Sequence, residues 1–118
     1  MAAATQQTPD LQWVTVCDTS DLKPNAGVCA LVGEDQVAIF YLEADGCIYA
    51  IGNYDPIGKA NVLSRGVVGD IKGQIVVASP LYKQHFNLET GQCIEDATVK
   101  VPTYPVRLAG TAVQIGRE

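Results

Sequence analysis

The stretch Val76-Val77-Ala78-Ser79-Pro80-Leu81-Tyr82-Lys83-Gln84-His85-Phe86 decides how the rest of the chain is read. An apolar run is broken by Ser-Pro, a short polar tip follows, and a histidine then precedes an aromatic residue. That order reads as strand, exposed turn, strand. An earlier segment, Gly52-Asn53-Tyr54-Asp55-Pro56-Ile57, opens a second loop with Asp-Pro as a turn start. Two loops of this kind can meet at one end of a small β domain.

The flanking sequence supports such a domain. Val67–Asp70 and Gln74–Ala78 form a hairpin about Ile71-Lys72-Gly73, and Val28–Val32, Gln36–Leu42 and Cys47–Ile51 read as a meander with turns at Gly33–Asp35 and Glu43–Gly46. Gln12–Asp18 is a first strand, followed by a loop over Thr19–Gly27 with one helical turn at Ser20-Asp21-Leu22. After Phe86 come a turn at Asn87–Gly91, a short strand at Gln92–Ile94 and an acidic loop at Glu95–Lys100. Val101–Leu108 alternates around Pro102 and Pro105, which confines it to sheet edges. Gly110 then turns the chain into a last strand, Ala112–Ile115. No segment longer than about a turn repeats its apolar residues every 3.6 positions. The fold class is all-β, with residues 1–10 a flexible terminus and residues 11–118 one domain without repeat or linker. Trp13, beside alternating valines, is expected in the core or sealing an edge rather than serving as a stacking platform.

Composition narrows the function classes. With 118 residues, 47% of them hydrophobic and 18% charged, the chain can bury a core without metal or disulfides. A net charge of −5 argues against nucleic acid or an anionic membrane surface as partner. No apolar run approaches the ~20 residues of a spanning helix, and the first residues lack the basic start and apolar stretch of a signal peptide. A cytoplasmic protein is expected. Cys17, Cys29, Cys47 and Cys93 form no C-x2-C or C-x4-C pair, so they are read as reduced, small apolar fillers. Glu34, Asp35, Glu43, Asp45 and Asp70 lie singly in turns, without the spacing of a calcium loop. Asn53–Gly66 is long and irregular, and such loops in compact domains are frequently functional.

Phe86, Leu88 and Gly91 make Phe-x-Leu-x-x-Gly after the second loop, Tyr49-Ala50-Ile51 precedes the first, and Pro80 lies in the second. On these residues the chain resembles Rieske-type ferredoxins, which implies an antiparallel β sandwich or partial barrel with both loops at one tip. That family places Cys-x-His on one loop and Cys-Pro-x-His-Gly on the other. The resemblance puts Asp55 and Ile57 on the first ligand pair, and Ser79 and Tyr82 on the second. A Rieske centre takes two histidines and two thiolates. With a single His in the chain, counting excludes it.

A closer similarity lies in Asn53-Tyr54-Asp55-Pro56, Asn61-Val62-Leu63-Ser64-Arg65-Gly66, Val77–Phe86 and Tyr104-Pro105-Val106-Arg107. These blocks resemble the small subunits of assimilatory NAD(P)H-dependent nitrite reductase, which are Rieske-like domains without their cluster. The resemblance implies an accessory subunit with no catalytic or metal-binding residue and no cofactor of its own. Its implied partner is a large subunit that carries FAD, an iron–sulfur cluster and sirohaem and reduces nitrite to ammonium. At the tip, Tyr82 is expected as a docking anchor, with Lys59, Arg65, Lys83 and His85 as a local basic face. The bland reading of the same residues is solvated charges and a satisfied strand histidine. Two other classes stay open: a stand-alone ligand- or protein-binding β module, since fold does not fix function, and a redox-active ferredoxin.

Overall fold

Val37-Ala38-Ile39-Phe40-Tyr41-Leu42 is an apolar run without alternation, and such a strand must be covered on both faces. The computed structural model describes residues 11–81 and 83–117 and shows how this is met. The run lies in β3 (Asp35–Leu42), which pairs antiparallel with β2 (Gly27–Val32) and β4 (Cys47–Gly52). Side chains alternate across a strand. Ala38, Phe40 and Leu42 therefore join one core with Ile51, Leu63, Val77, Phe86, Leu88, Cys93 and Val101. Val37 and Ile39 join a second with Val32, Ala50 and Ile115.

The second core is closed by β1 (Gln12–Asp18), β11 (Val106–Ala109) and β12 (Ala112–Arg117), in the order β1-β12-β11. β10 (Thr103–Tyr104) completes the central sheet beside β4. Both proline-flanked strands, β10 and β11, lie at sheet edges as the prolines require. The first core is closed by β7 (Val67–Ile71), β8 (Gln74–Ala78) and β9 (His85–Asn87). Within it the Phe-x-Leu-x-x-Gly motif acquires a physical reason: Phe86 and Leu88 are fully buried, and Gly91 turns the chain at φ +78°. A Cβ on Gly91 would stand 2.0 Å from the Val101 carbonyl oxygen, so only glycine fits.

The all-β Rieske-like expectation agrees with this architecture, and four details differ from the sequence reading. The irregular segment 53–66 contains a small hairpin, β5 (Tyr54–Asp55) with β6 (Ala60–Asn61), and a 3-10 turn at Leu63–Arg65. Gln92–Ile94 makes only isolated bridges, and Gln92 Nε2 reaches the carbonyls of Ala97 and Val99, each at 3.0 Å. Cys93 is a core filler, but Cys29 and Cys47 are exposed: they lie opposite Ala38 and Leu42, on the face of the first core but at positions that core does not cover. Trp13 is half-buried on the outer face opposite Gly116, with the Arg107 guanidinium 4.3 Å from its ring centroid. Val14 and Val16 take the inward phase and leave Trp13 the other side. The flexible terminus expected over residues 1–10 lies outside the described residues.

Candidate functional site

The first loop is built on Asn53 and Asp55, both buried. Asn53 ends β4's run and secures the loop base: its Oδ1 accepts from Ser64 N at 2.7 Å and its Nδ2 donates to Gln36 Oε1 at 3.1 Å. Its backbone N–H donates to the Gln36 carbonyl, and its carbonyl accepts from Leu63 N. Asp55 Oδ1 then accepts from Ile57 N at 2.8 Å and Gly58 N at 2.9 Å, an Asx turn made possible because Pro56 has no N–H to satisfy. The Asp55 carbonyl accepts from Lys59 N at 2.7 Å, and Lys59 takes the left-handed conformation at φ +60°.

The second loop repeats this device. Ser79 is buried, its Oγ accepts from Leu81 N at 3.3 Å, and its carbonyl accepts from Lys83 N at 3.1 Å. Lys83 is left-handed at φ +64°. The pattern is Asp55-Pro56-Ile57-Gly58-Lys59 against Ser79-Pro80-Leu81-Tyr82-Lys83. In both, a short oxygen-bearing side chain holds the amide two residues on, and a carbonyl holds the amide four residues on. This five-residue internal repeat differs from the sequence expectation of a domain without repeat.

The two loops are bonded to each other. Ser79 Oγ donates to Asp55 Oδ2 at 2.5 Å, with both residues at or below 1% exposure. Leu81 of the second loop lies on Gly58 of the first, where an added Cβ would come within 2.5 Å of Leu81 Cδ1. Ile57 packs against the first core beneath. Asp55, Ile57 and Ser79 thus come together as the resemblance placed them.

The basic residues divide. Lys59 and Lys83 each follow the bonded pair by four residues, so the same latch brings both to the tip, and both are exposed. Arg65 is exposed beside Gly66, whose Cα backs onto the Ala78 carbonyl at the base of the second loop. None of these three has an acidic partner among the described residues. His85 does: its Nδ1 lies 2.6 Å from Glu95 Oε2, and its backbone N–H donates to Glu95 Oε1 at 2.8 Å. Partial desolvation raises the Glu95 carboxyl, but the backbone and side-chain hydrogen bonds from His85 outweigh it and hold Glu95 below the usual carboxylate range. Tyr82 lies outside the described residues. Leu81, 43% exposed, is an apolar tip residue that sequence reading passed over for its aromatic neighbour. Asn53 was also missed; a polar residue just after an apolar strand was its one signal.

The family profile of the Rieske-like [2Fe-2S] domain matches residues 12–116. The nitrite reductase (NADH) small subunit of Escherichia coli K12 is 43% identical over 104 residues, which are 88% of this chain and 96% of that protein. The chain belongs to the nitrite reductase small-subunit family. A solution structure of the nitrite reductase NAD(P)H small subunit from Erwinia carotovora has a TM-score of 0.76 at 45% identity, covering 90% of this chain and 82% of that one. The nitrite reductase NAD(P)H large subunit of Klebsiella oxytoca is 36% identical over 110 residues, 93% of this chain but 11% of that protein. There, a domain like this small subunit is one part of a large-subunit polypeptide.

The family profile carries an iron–sulfur cluster in its description, and the residues of this small subunit can be tested against one. A two-iron Rieske centre needs two imidazoles and two thiolates. Where it would bridge the loops stand a carboxyl with its acceptor sites engaged, an isoleucine and a serine hydroxyl. The only imidazole is bound to Glu95, and the thiol of Cys93 is buried in the first core. No cluster of three or more His, Cys, Asp or Glu able to hold a metal occurs among the described residues. The donor set does not fit the group.

Proposed function

We propose that this chain works as a cluster-less accessory subunit of an assimilatory NAD(P)H-dependent nitrite reductase. It docks on a large subunit that carries FAD, an iron–sulfur cluster and sirohaem and reduces nitrite to ammonium. The observation that carries this reading is the Asp55–Ser79 hydrogen bond: the two loops that a cluster would join are already joined, by protein alone. The fused Klebsiella arrangement supports the large subunit as partner. None of the redox centres on the route from nicotinamide to nitrite can be assembled from this chain, so its contribution is to assembly or regulation, in the cytoplasm where the reductant is made. Docking through the tip uses Lys59, Lys83 and Arg65 as rim charges around an apolar centre at Leu81 and Tyr82. His85 stays with Glu95 and shapes the base of the loop.

Co-expression with the large subunit tests the reading. The two chains should co-purify, and Lys83→Glu should weaken assembly more at low than at high salt, as expected of a rim charge. Tyr82→Ala should slow nitrite turnover at limiting small subunit and recover when the small subunit is in excess. A chain that purifies alone and leaves nitrite turnover unchanged would make it a stand-alone binding module.

A further inference from the structure

Sheet edges expose unpaired backbone groups, and folded proteins blunt them with charge, proline, bulges or brevity. Among the described residues, the sheet edges follow the rule with one exception. β1 carries a bulge between Thr15 and Cys17. β11 carries Arg107 and follows Pro105, β10 is two residues between prolines, and β7 carries Asp70. β9 is closed by Ile94 N to the His85 carbonyl at 2.8 Å and by Asn87 N to the Gln92 carbonyl at 2.9 Å. β5 and β6 are two residues each. β2, Gly27-Val28-Cys29-Ala30-Leu31-Val32, has six residues in regular register with β3 and no charge, proline or bulge.

Which amides of β2 face outward follows from its neighbour. The Gln36 carbonyl accepts from Asn53 N at 3.0 Å, so Gln36 turns its backbone groups toward the β4 side. Its partner across the ladder, Leu31, therefore turns its own N–H and C=O away from the sheet, and by alternation so does Cys29. Among the described residues nothing bonds these groups. Their side chains are exposed as well, Leu31 by 65%. The Gly27 end is closed, since its Cα faces the Ser64 carbonyl.

We propose that β2 receives an extended, uncharged strand of the nitrite reductase large subunit, added beside Cys29–Leu31 so that the central sheet continues into the partner. The inference rests on the assignment of the large subunit as partner, for which the fused relative is the warrant. In such strand addition, main-chain hydrogen bonds supply affinity and side-chain seats supply register. Leu31, 65% exposed on that edge, is the apolar seat. An edge left open in the free subunit and covered in the complex also accounts for the missing protection: nothing needs to guard an edge that a partner occupies.

Hydrogen exchange on the isolated chain and on the co-purified complex tests this residue by residue. The amides of Cys29 and Leu31 should exchange freely in the isolated chain and slow by ~100-fold or more in the complex, as ladder amides do. Those of Val28 and Ala30, already bonded to β3, should change little. Leu31→Lys, a charge at an exposed edge position, should leave the isolated chain folded and weaken assembly by ~10-fold or more with little salt dependence. A complex that forms with Cys29 and Leu31 unprotected overturns the inference and leaves the function standing. Protection already present in the isolated chain, from residues 1–10 or a second copy, also overturns it. Failure of the two chains to associate overturns the functional reading itself.

Discussion

The first and second tip loops have the same turn, yet they are held unequally. Asp55 uses a carboxyl with two oxygens and accepts three hydrogen bonds, two from its own loop and one from Ser79. Behind it, Asn53 ties the loop base to β3 and to the 3-10 turn. Ser79 has one hydroxyl, accepts from a single amide at 3.3 Å and donates its O–H to Asp55. Gln84, just before β9, has a buried Oε1 with no partner among the described residues. The first loop is thus self-supporting and the second leans on it. A tip of this design needs only one well-anchored loop.

The unequal support of the loops shows most strongly at Asp55. Asp55→Ala orphans two part-buried amides and the serine hydroxyl, and at 1–3 kcal/mol for each unsatisfied group, partly relieved by water, the loss should be about 3 kcal/mol. Ser79→Ala should cost about 1 kcal/mol, since the carboxylate keeps its other two donors. Urea unfolding of both, with the double variant closing the cycle, should show a coupling of ~1 kcal/mol between the pair. Equal losses from the two single variants would mean that the loops support each other symmetrically. Asn53→Ala comes next, at about 2 kcal/mol through the Ser64 amide and the Gln36 carboxamide left behind. Its loss should also speed hydrogen exchange at Ser64 while leaving Lys83 unchanged.

Smaller effects sharpen the second loop. Gln84→Met removes an orphaned acceptor at similar volume, and stability should stay within ~0.5 kcal/mol or rise. A clear drop in the melting midpoint would show that the carbonyl has a partner in solution. The His85–Glu95 pair sets the acid response. Because the folded Glu95 carboxyl lies below its ordinary 4.5, the pair's contribution is present above pH 4.5 and is lost as pH falls through the folded value. Glu95→Gln should therefore narrow its stability gap to the parent as pH drops below that value. The effect is small because Glu95 is 44% exposed.

Much of this architecture was legible in the sequence where one physical rule dominated. Gln12–Asp18 and Gln74–Ala78 match their strands residue for residue, because β-branched runs ended by turn residues leave little choice. Proline placed β10 and β11 at edges for want of a donor N–H. Where tertiary contacts decide, the sequence was silent. β5 and β6 are too short to carry a period, and they form because Asp55 is fixed from the second loop and Asn53 from β3. The exposure of Cys29 follows from β2 lying at a sheet edge, which its composition hides. Asp55 and Ser79 were recognisable as turn builders one at a time. Their mutual bond depends on a docking of loops 24 residues apart.

The Asp55–Ser79 bond joins the two loops by protein alone, and the iron and acid-labile sulfide content of the anaerobically purified chain tests that most directly. The prediction is a colourless protein without stoichiometric iron or sulfide, whose melting is unaffected by iron chelators. Stoichiometric iron and sulfide with a visible absorption band would contradict it, because a cluster could sit between the loops only if the Asp55–Ser79 bond were open.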